Sequence, residues 1–272
     1  MFTGAITARL VIVDLDGTLL DGAGDIPPTF WPLLETMRTQ GIVFAPASGR
    51  QYATLRHLFG THGDDLTFIA ENGGLVMRGG VEISSILLEH DTIALTRNLL
   101  TADTAEGADI GLVVCGKDTA YVERTDAAFL AEVAKYYVDF QIVDDLTLVE
   151  ADVVKLAMFR TSGTAAGVPR HLSELTETHQ VTVSGTHWID VMPRATNKGS
   201  AVRALQRHLD IDRSETVAFG DYLNDLEMLD AAEHSFAMAN AHPHVKERAR
   251  WEAPANTRNG VISTLSAILH DQ

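Results

Sequence analysis

Leu10-Val11-Ile12-Val13-Asp14-Leu15-Asp16-Gly17-Thr18 is the stretch on which the reading of the fold turns. Four aliphatic residues, three of them β-branched, predict a buried strand. The strand runs into two carboxylates two positions apart, so it delivers acid to the carboxyl edge of a sheet. Open α/β sheets bind their ligands along that edge. Residues two apart on a strand share a face, which places Asp14 and Asp16 on one substrate if the extended geometry continues that far. Gly17 then permits the tight turn that leaves the strand. Taken alone, an Asp-x-Asp-Gly stretch also fits a plain Asx-rich turn. The remainder of the chain decides between the two.

Working outward, Asp25-Ile26-Pro27-Pro28 reads as a helix start, and Phe30, Leu33, Leu34 and Met37 form one apolar face that stops at Gly41. A second strand at 42–47 runs into Ser48-Gly49-Arg50. Strand, helix and strand imply a parallel pair joined by a right-handed crossover, which brings Ser48 out beside Asp14. A helix over 51–59, a strand at 67–70 ending in Glu71-Asn72-Gly73-Gly74, and a hairpin over 75–83 complete this part.

Between Leu87 and Trp188 the pattern changes. Asp91 is placed as the cap of a helix over 93–100. Strands are expected at 112–115 and 120–123, a helix over 126–137, a strand at 153–159, a helix over 169–179, and strands at 181–184 and 188–191. This is an α+β module with a largely antiparallel sheet. Alternating α/β order resumes with Thr196-Asn197-Lys198-Gly199 and a helix over 201–209. A strand at 216–219 then ends in Gly220-Asp221-Tyr222-Leu223-Asn224-Asp225, and a strand at 235–238 and closing helices follow. The expected fold is α/β: a doubly wound, mostly parallel (Rossmann-like) core sheet from residues 1–86 and 189–272, with an inserted α+β cap over 87–188 that sets substrate specificity.

Composition narrows the function. A chain of 272 residues with 46% hydrophobic residues buries a sizeable core, and a formal charge of −16 opposes nucleic acid or an anionic membrane surface as partner. No apolar run reaches the ~20 residues that span a bilayer. The start of the chain lacks the pattern of a cleaved leader, because Asp14 and Asp16 interrupt it. The single cysteine, Cys115, lies in an apolar run and reads as a buried small hydrophobe in a reducing compartment, so the expected location is the cytoplasm. His187, His208, His234, His242 and His244 show no metal-ligand spacing, and His242-Pro243-His244 reads as a turn.

Asp14-Leu15-Asp16-Gly17-Thr18, Ser48-Gly49-Arg50, Lys198 and Gly220-Asp221-x-x-Asn224-Asp225 together resemble the four motifs of the haloacid dehalogenase-like phosphohydrolases. The place of the insert, with Glu71-Asn72-Gly73, Val153-Val154-Lys155 and Asn259-Gly260-Val261, is similar to the Cof-type, or type IIB, branch. Ser48 stands where threonine is common, and Ala239-Asn240 replaces a frequent Gly-Asn.

The chemistry agrees with the resemblance. Phosphoryl transfer needs a nucleophile, a proton for the leaving oxygen and positive charge around the phosphoryl oxygens. A carboxylate such as Asp14 needs no base to become a nucleophile. Asp16 is suited to protonate the departing alkoxide and then to deprotonate the attacking water. Several carboxylates at one site call for a cation, and oxygen ligands favour Mg²⁺. The family pattern implies that Asp14 and Asp221 bind Mg²⁺ directly, the main-chain carbonyl of Asp16 is a third ligand, and Asp225 holds a water ligand. Ser48, Lys198, Asn224, and the backbone N–H groups of Leu15 and Gly49 are the expected phosphate contacts, with Arg50 a further candidate. The leading expectation is an Mg²⁺-dependent phosphatase of small phosphorylated metabolites, sugar phosphates first, acting as monomer or homodimer. The alternatives are phosphomutase-like transfer and a non-catalytic phosphometabolite-binding regulator. Lys155, Arg160 and His187 are candidates for substrate contact from the cap.

Overall fold

The computed structural model describes residues 6–164, 167–184 and 186–270. Strand β1 (Leu10–Asp14) is buried at every position, as its aliphatic run requires. Helix α1 (Phe30–Thr39) buries Phe30, Leu33, Leu34 and Met37, one stripe at helical spacing, and the Phe30 ring packs 5.0 Å from Phe44. Strand β2 (Val43–Ala47) lies parallel to β1, with Leu10 opposite Val43 and Asp14 opposite Ala47. Helix α2 (Tyr52–Phe59) follows, then β3 (Thr67–Ala70), β4 (Leu75–Arg78) and β5 (Val81–Ser85).

The middle of the chain forms α3 (Asp91–Ala105), β6 (Ile110–Gly116), β7 (Ala120–Val122), α4 (Ala127–Tyr136), β8 (Phe140–Ile142), β9 (Val153–Arg160), β10 (His179–Val183) and β11 (Trp188–Pro193). The last part adds α5 (Lys198–Leu209), β12 (Thr216–Gly220), α6 (Leu226–Asp230), β13 (His234–Met238), α7 (Pro243–Arg248), β14 (Trp251–Ala253) and α8 (Gly260–His270).

Eight strands make the first sheet, in the order β14-β13-β12-β1-β2-β3-β4-β5. The strands from β14 to β3 run parallel, and β4 turns back antiparallel on β3. From β1 the chain steps outward through β2 and β3 on one side and returns through β12, β13 and β14 on the other. The strand order therefore reverses between β1 and β12, and a crevice opens beyond their carboxyl ends. Asp14 closes β1, and Asp221 follows the last residue of β12.

The second sheet has six strands in the order β10-β11-β9-β6-β7-β8, antiparallel except for the β7–β8 pair. Side chains alternate across it, as strand geometry dictates. Leu112, Val114, Leu156, Met158, Ile189 and Val191 pack with Ile93 and Leu100 of α3 on one face. Val113, Cys115, Ala157, Phe159 and Trp188 pack with Phe129 and Val133 of α4 on the other. Cys115 is buried there, as a small hydrophobe should be.

Contacts divide the chain into two compact units: Met1–Ser48, His62–Ser84 and Asn197–Gln272 in one, Gly49–Thr61 and Ser85–Thr196 in the other. The division differs from the 87–188 expected for the insert. Trp188 to Val191 pair with β9, so β11 belongs to the second sheet, and the first unit resumes only at Asn197. Residues 49–61 fall in the second unit because the Gln51 side chain donates to the Asp139 carbonyl at 2.9 Å, and Thr54 Oγ1 donates to the Tyr136 carbonyl at 2.8 Å.

Other expectations need correction. Residues 169–179 form only a short 3₁₀ turn at Leu172–Glu177 rather than a full helix, tied to α3 through the 2.9 Å contact of His171 Nδ1 with Asp103. Helix α3 starts after His90 with no side-chain cap, so Asp91 is its first residue and not its cap. Among the described residues no helix is long and apolar enough to cross a membrane.

Candidate active site

The site is built at the strand-order reversal. Val13 pairs with Phe219, so Asp14 and Gly220 emerge level with each other from adjacent strands. Asp14, Asp221 and Asp225 each offer a carboxylate oxygen, and these oxygens lie within 4.8 Å of one another. Lys198 enters from the first position of α5. Asn197 caps that helix by accepting from Ser200 N at 2.8 Å, which fixes where the lysine starts. Lys198 Nζ donates to Asp14 Oδ1 at 2.5 Å and to Asp225 Oδ1 at 2.7 Å, with no surface exposed to solvent.

Charge balance dominates this cluster. Burial, then the neighbouring Asp225 and Asp221, push the Asp14 carboxyl well above the ordinary carboxylate range, although Lys198 pulls it down. Burial and Asp225 raise Asp221 to about 6. Burial disfavours the charged form of Lys198, but Asp14 and Asp225 outweigh it and hold the ammonium above its ordinary value. Three carboxylates with one ammonium leave net negative charge in a site of low dielectric. A hard divalent cation matches that donor set: oxygen ligands, close together, with charge to neutralise. The residues present therefore fit such an ion.

Backbone geometry fixes the acids. Asp225 Oδ2 accepts from the N–H groups of Asp221 at 2.9 Å and Tyr222 at 3.1 Å, so both its oxygens are engaged. Gly17 takes φ +82°, and a Cβ there would fall 2.3 Å from Asp221 Oδ2. Glycine is required on both counts: only it adopts this conformation without strain, and only it leaves room for the acid.

Ser48 is buried directly after the residue that pairs with Asp14; its N–H donates to the Ile69 carbonyl at 2.9 Å. Leu15 is buried behind Asp14. The extended strand stops at Asp14, and Asp16 sits exposed in the irregular turn that follows, so alternation along a strand does not carry the second acid. Asp16 contributes no carboxylate oxygen to the Asp14–Asp221–Asp225 group. Asn224 Nδ2 donates to Asn72 Oδ1 at 3.2 Å. Gly49 and Arg50 group with the second unit, where the Gly49 carbonyl accepts from Lys155 Nζ at 2.9 Å. Lys155 is buried 3.5 Å from Asp190. In the same unit His187 Nδ1 lies 3.0 Å from the Arg160 carbonyl. His242 caps α7 by accepting from His244 N, so Pro243 and His244 open a helix where the sequence suggested a turn.

Sequence reasoning missed three supports. Thr18 Oγ1 donates to Asp221 Oδ1 at 3.0 Å, Asn240 Nδ2 donates to the Gly17 carbonyl at 2.8 Å, and Asn197 sets the start of α5. Thr18 follows Gly17 and Asn197 precedes Lys198, which was the available signal, whereas Asn240 stands between two alanines.

Residues 11–265 match the haloacid dehalogenase-like hydrolase family. Over 268 residues the chain is 33% identical to the 5-amino-6-(5-phospho-D-ribitylamino)uracil phosphatase YbjI of Escherichia coli strain K12, with 97% of each chain covered. Its fold is similar to that of SMU.1108c from Streptococcus mutans UA159, with a TM-score of 0.85, 23% identity, and 97% of this chain and 99% of that one covered. It is also similar to the HAD subclass IIB sugar phosphatase BT4131, with a TM-score of 0.77, 19% identity, and 96% and 98% covered. The chain belongs to the haloacid dehalogenase-like hydrolase family. Within it, the chain is an enzyme of the phosphoric monoester hydrolase kind.

Proposed function

We propose that the chain is an Mg²⁺-dependent phosphatase of small phosphorylated metabolites, with esters on sugar or polyol carbons as its first substrate class and Asp14 as its nucleophile. The observation that carries this reading is Asp14 itself, buried at the strand-order reversal, bound by Lys198 and flanked by Asp221 and Asp225. The relative YbjI is named for a substrate whose phosphate sits on a ribityl chain, and BT4131 is named a sugar phosphatase. Both names support a polyhydroxylated leaving group.

Asp14 Oδ attacks phosphorus, the bond from phosphorus to the ester oxygen breaks, and Asp16 gives its proton to the departing alkoxide. Asp16 then takes a proton from water as that water attacks the same phosphorus. The bond to Asp14 breaks and orthophosphate leaves. Lys198 holds the nucleophile in place and offers positive charge to the phosphoryl oxygens, which Ser48 and the backbone N–H group of Leu15 also bind. Asn224 contacts phosphate as well. Asp14, Asp221 and the main-chain carbonyl of Asp16 would hold Mg²⁺, with Asp225 behind them, and when bound it would supply the charge that keeps Asp14 ionised and lets an anionic ester approach it.

The test is turnover of a panel of sugar, polyol, nucleotide and aryl phosphates with Mg²⁺ and with chelator. Mg²⁺-dependent release of orthophosphate, highest on sugar or polyol esters and lost in Asp14→Asn, is the expected result. Turnover that survives chelation or Asp14→Asn overturns the mechanism. An unmodified protein that binds these esters and hydrolyses none is the regulator instead.

A further inference from the structure

The turn after β3 connects three of the four motifs. Glu71 and Asn72 are consecutive, non-glycine and left-handed, at φ +51° and +54°. Both are buried, at 1% and 5% exposure. Left-handed backbone is costly for a residue with a Cβ, most of all for one such as glutamate that has no short polar side chain to offset it. Surroundings that hold two such residues in a row are enforcing a geometry.

That geometry has three outputs, all within the first unit. Asn72 N donates to the Ser48 carbonyl at 2.9 Å. Asn72 Oδ1 accepts from Asn224 Nδ2 at 3.2 Å. Gly73, at φ +97°, lies so close to the peptide before Lys198 that a Cβ on it would fall 2.4 Å from the Asn197 carbonyl oxygen. Asparagine suits the central position because it tolerates left-handed backbone and its short amide reaches a neighbour.

We propose that Asn72 is a positioning residue for phosphate binding: its carbonyl oxygen fixes the amide plane of Asn224 while its own N–H fixes the Ser48 peptide. With one Asn224 Nδ2 hydrogen committed to Asn72, the other hydrogen and the plane of the amide are set before the phosphoryl group arrives. The proposal rests on the phosphatase reading of the site and deepens it by assigning the alignment of the phosphate contacts to a turn outside the four motifs.

The experiment is a double-mutant cycle with Asn72→Gly and Asn224→Ala. Glycine adopts the left-handed conformation freely, so Asn72→Gly keeps the turn and its N–H and removes only the amide; a thermal melt checks this. Two readouts are used: the dissociation constant for orthophosphate in Mg²⁺ by calorimetry, and KM and kcat on p-nitrophenyl phosphate. A positioning hydrogen bond predicts about a three- to tenfold weakening of phosphate binding and a matching rise in KM, with kcat retained. In the Asn224→Ala background the same substitution should add nothing, because Asn72 acts through Asn224.

Asn72→Ser, whose side chain is too short to reach the amide, is the second variant and should show the same coupling. A merely structural role would lower kcat through the folded fraction and leave KM unchanged. Unchanged phosphate affinity in Asn72→Gly, or effects of Asn72→Gly and Asn224→Ala that multiply, overturns the inference while leaving the phosphatase reading standing. Failure of that reading is separate and shows as an unmodified protein that releases no orthophosphate from any ester.

Discussion

Lys198→Met removes the one ammonium between two buried carboxylates and keeps most of the side chain's bulk. Nζ lies 2.5 Å from Asp14 and 2.7 Å from Asp225, and the three side chains are 0%, 9% and 0% exposed. Breaking a buried ion pair by deleting one partner costs about 3–5 kcal/mol, because the remaining charge stays desolvated. That corresponds to roughly 10²- to 10⁴-fold in the unfolding equilibrium, at about 1.4 kcal/mol per tenfold. Asp225 keeps its bonds from the Asp221 and Tyr222 N–H groups, so Asp14 is the acid that responds. Its carboxyl is already raised by burial and by Asp225, and loss of Lys198 raises it further. A folded-state carboxyl raised above its unfolded value binds more protons folded than unfolded, so stability declines as pH rises between the two values.

The expected result in urea melts without metal is therefore a deficit of about 3–5 kcal/mol near neutral pH that shrinks as the pH falls toward the ordinary carboxylate value of about 4 and Asp14 takes up its proton. Turnover should fall by at least ~10³, since both the ionised nucleophile and the charge on the phosphoryl oxygens are lost. A variant as stable as the unmodified protein near neutral pH, or equally destabilised at both pH values, would refute this electrostatic account of the cluster.

The acid–base role predicts that Asp16→Asn lowers turnover of alkyl phosphates by at least ~10², with aryl phosphates less affected in the first step and Mg²⁺ affinity kept; equal rates on an alkyl ester would contradict it. Gly17→Ala places a methyl 2.3 Å from Asp221 Oδ2 in a left-handed position. It should cost about 1–2 kcal/mol in backbone strain alone and weaken Mg²⁺ binding in titration, and an unchanged metal affinity would show that the Asp221 carboxylate is not held by this contact. Asp221 is raised to about 6 in the folded chain. Its stability contribution declines as pH rises from its unfolded value of about 4 to about 6, so metal-free protein should melt lower above that window. Mg²⁺ should then raise the melting temperature far more near pH 7.5 than near about pH 5, and an equal rise at both would count against carboxylate ligation.

Asp14 and Asp221 were legible because each stands at the end of an apolar strand, where period and composition both speak. Strands Leu10–Asp14, Val43–Ala47 and Thr216–Gly220 were read from their aliphatic runs, and the order of the elements implied the parallel sheet. Two short strands escaped. Phe140–Ile142 and Trp251–Ala253 have three residues each, too few for alternation to register, and exist because a neighbouring strand offers a partner. The opposite error occurred at residues 169–179, read as a helix where only Leu172–Glu177 turns.

Domain division misled at Trp188, whose strand pairs back to β9, and at residues 49–61, whose ties run through Gln51 and Thr54 to the backbone near Asp139. The Gln51 and Thr54 hydrogen bonds join positions more than eighty apart, and Trp188 pairs with Phe159 across a turn and a further strand, so neither leaves a local trace. The partners of Thr18, Asn72 and Asn240 were hidden for the same reason: their hydrogen bonds reach Asp221, Asn224 and Gly17 across the sheet edge.

The most direct test of the central claim is to trap the phosphorylated enzyme. Rapid mixing of the Mg²⁺-loaded protein with a ³²P-labelled aryl phosphate, followed by acid quench and peptide mapping, reads which side chain carries the phosphoryl group. The account predicts a transient label on the peptide containing Asp14, accumulating in Asp16→Asn because hydrolysis of the intermediate lacks its base, and absent from Asp14→Asn. Label on another residue, or orthophosphate released by Asp14→Asn at the unmodified rate, would contradict it.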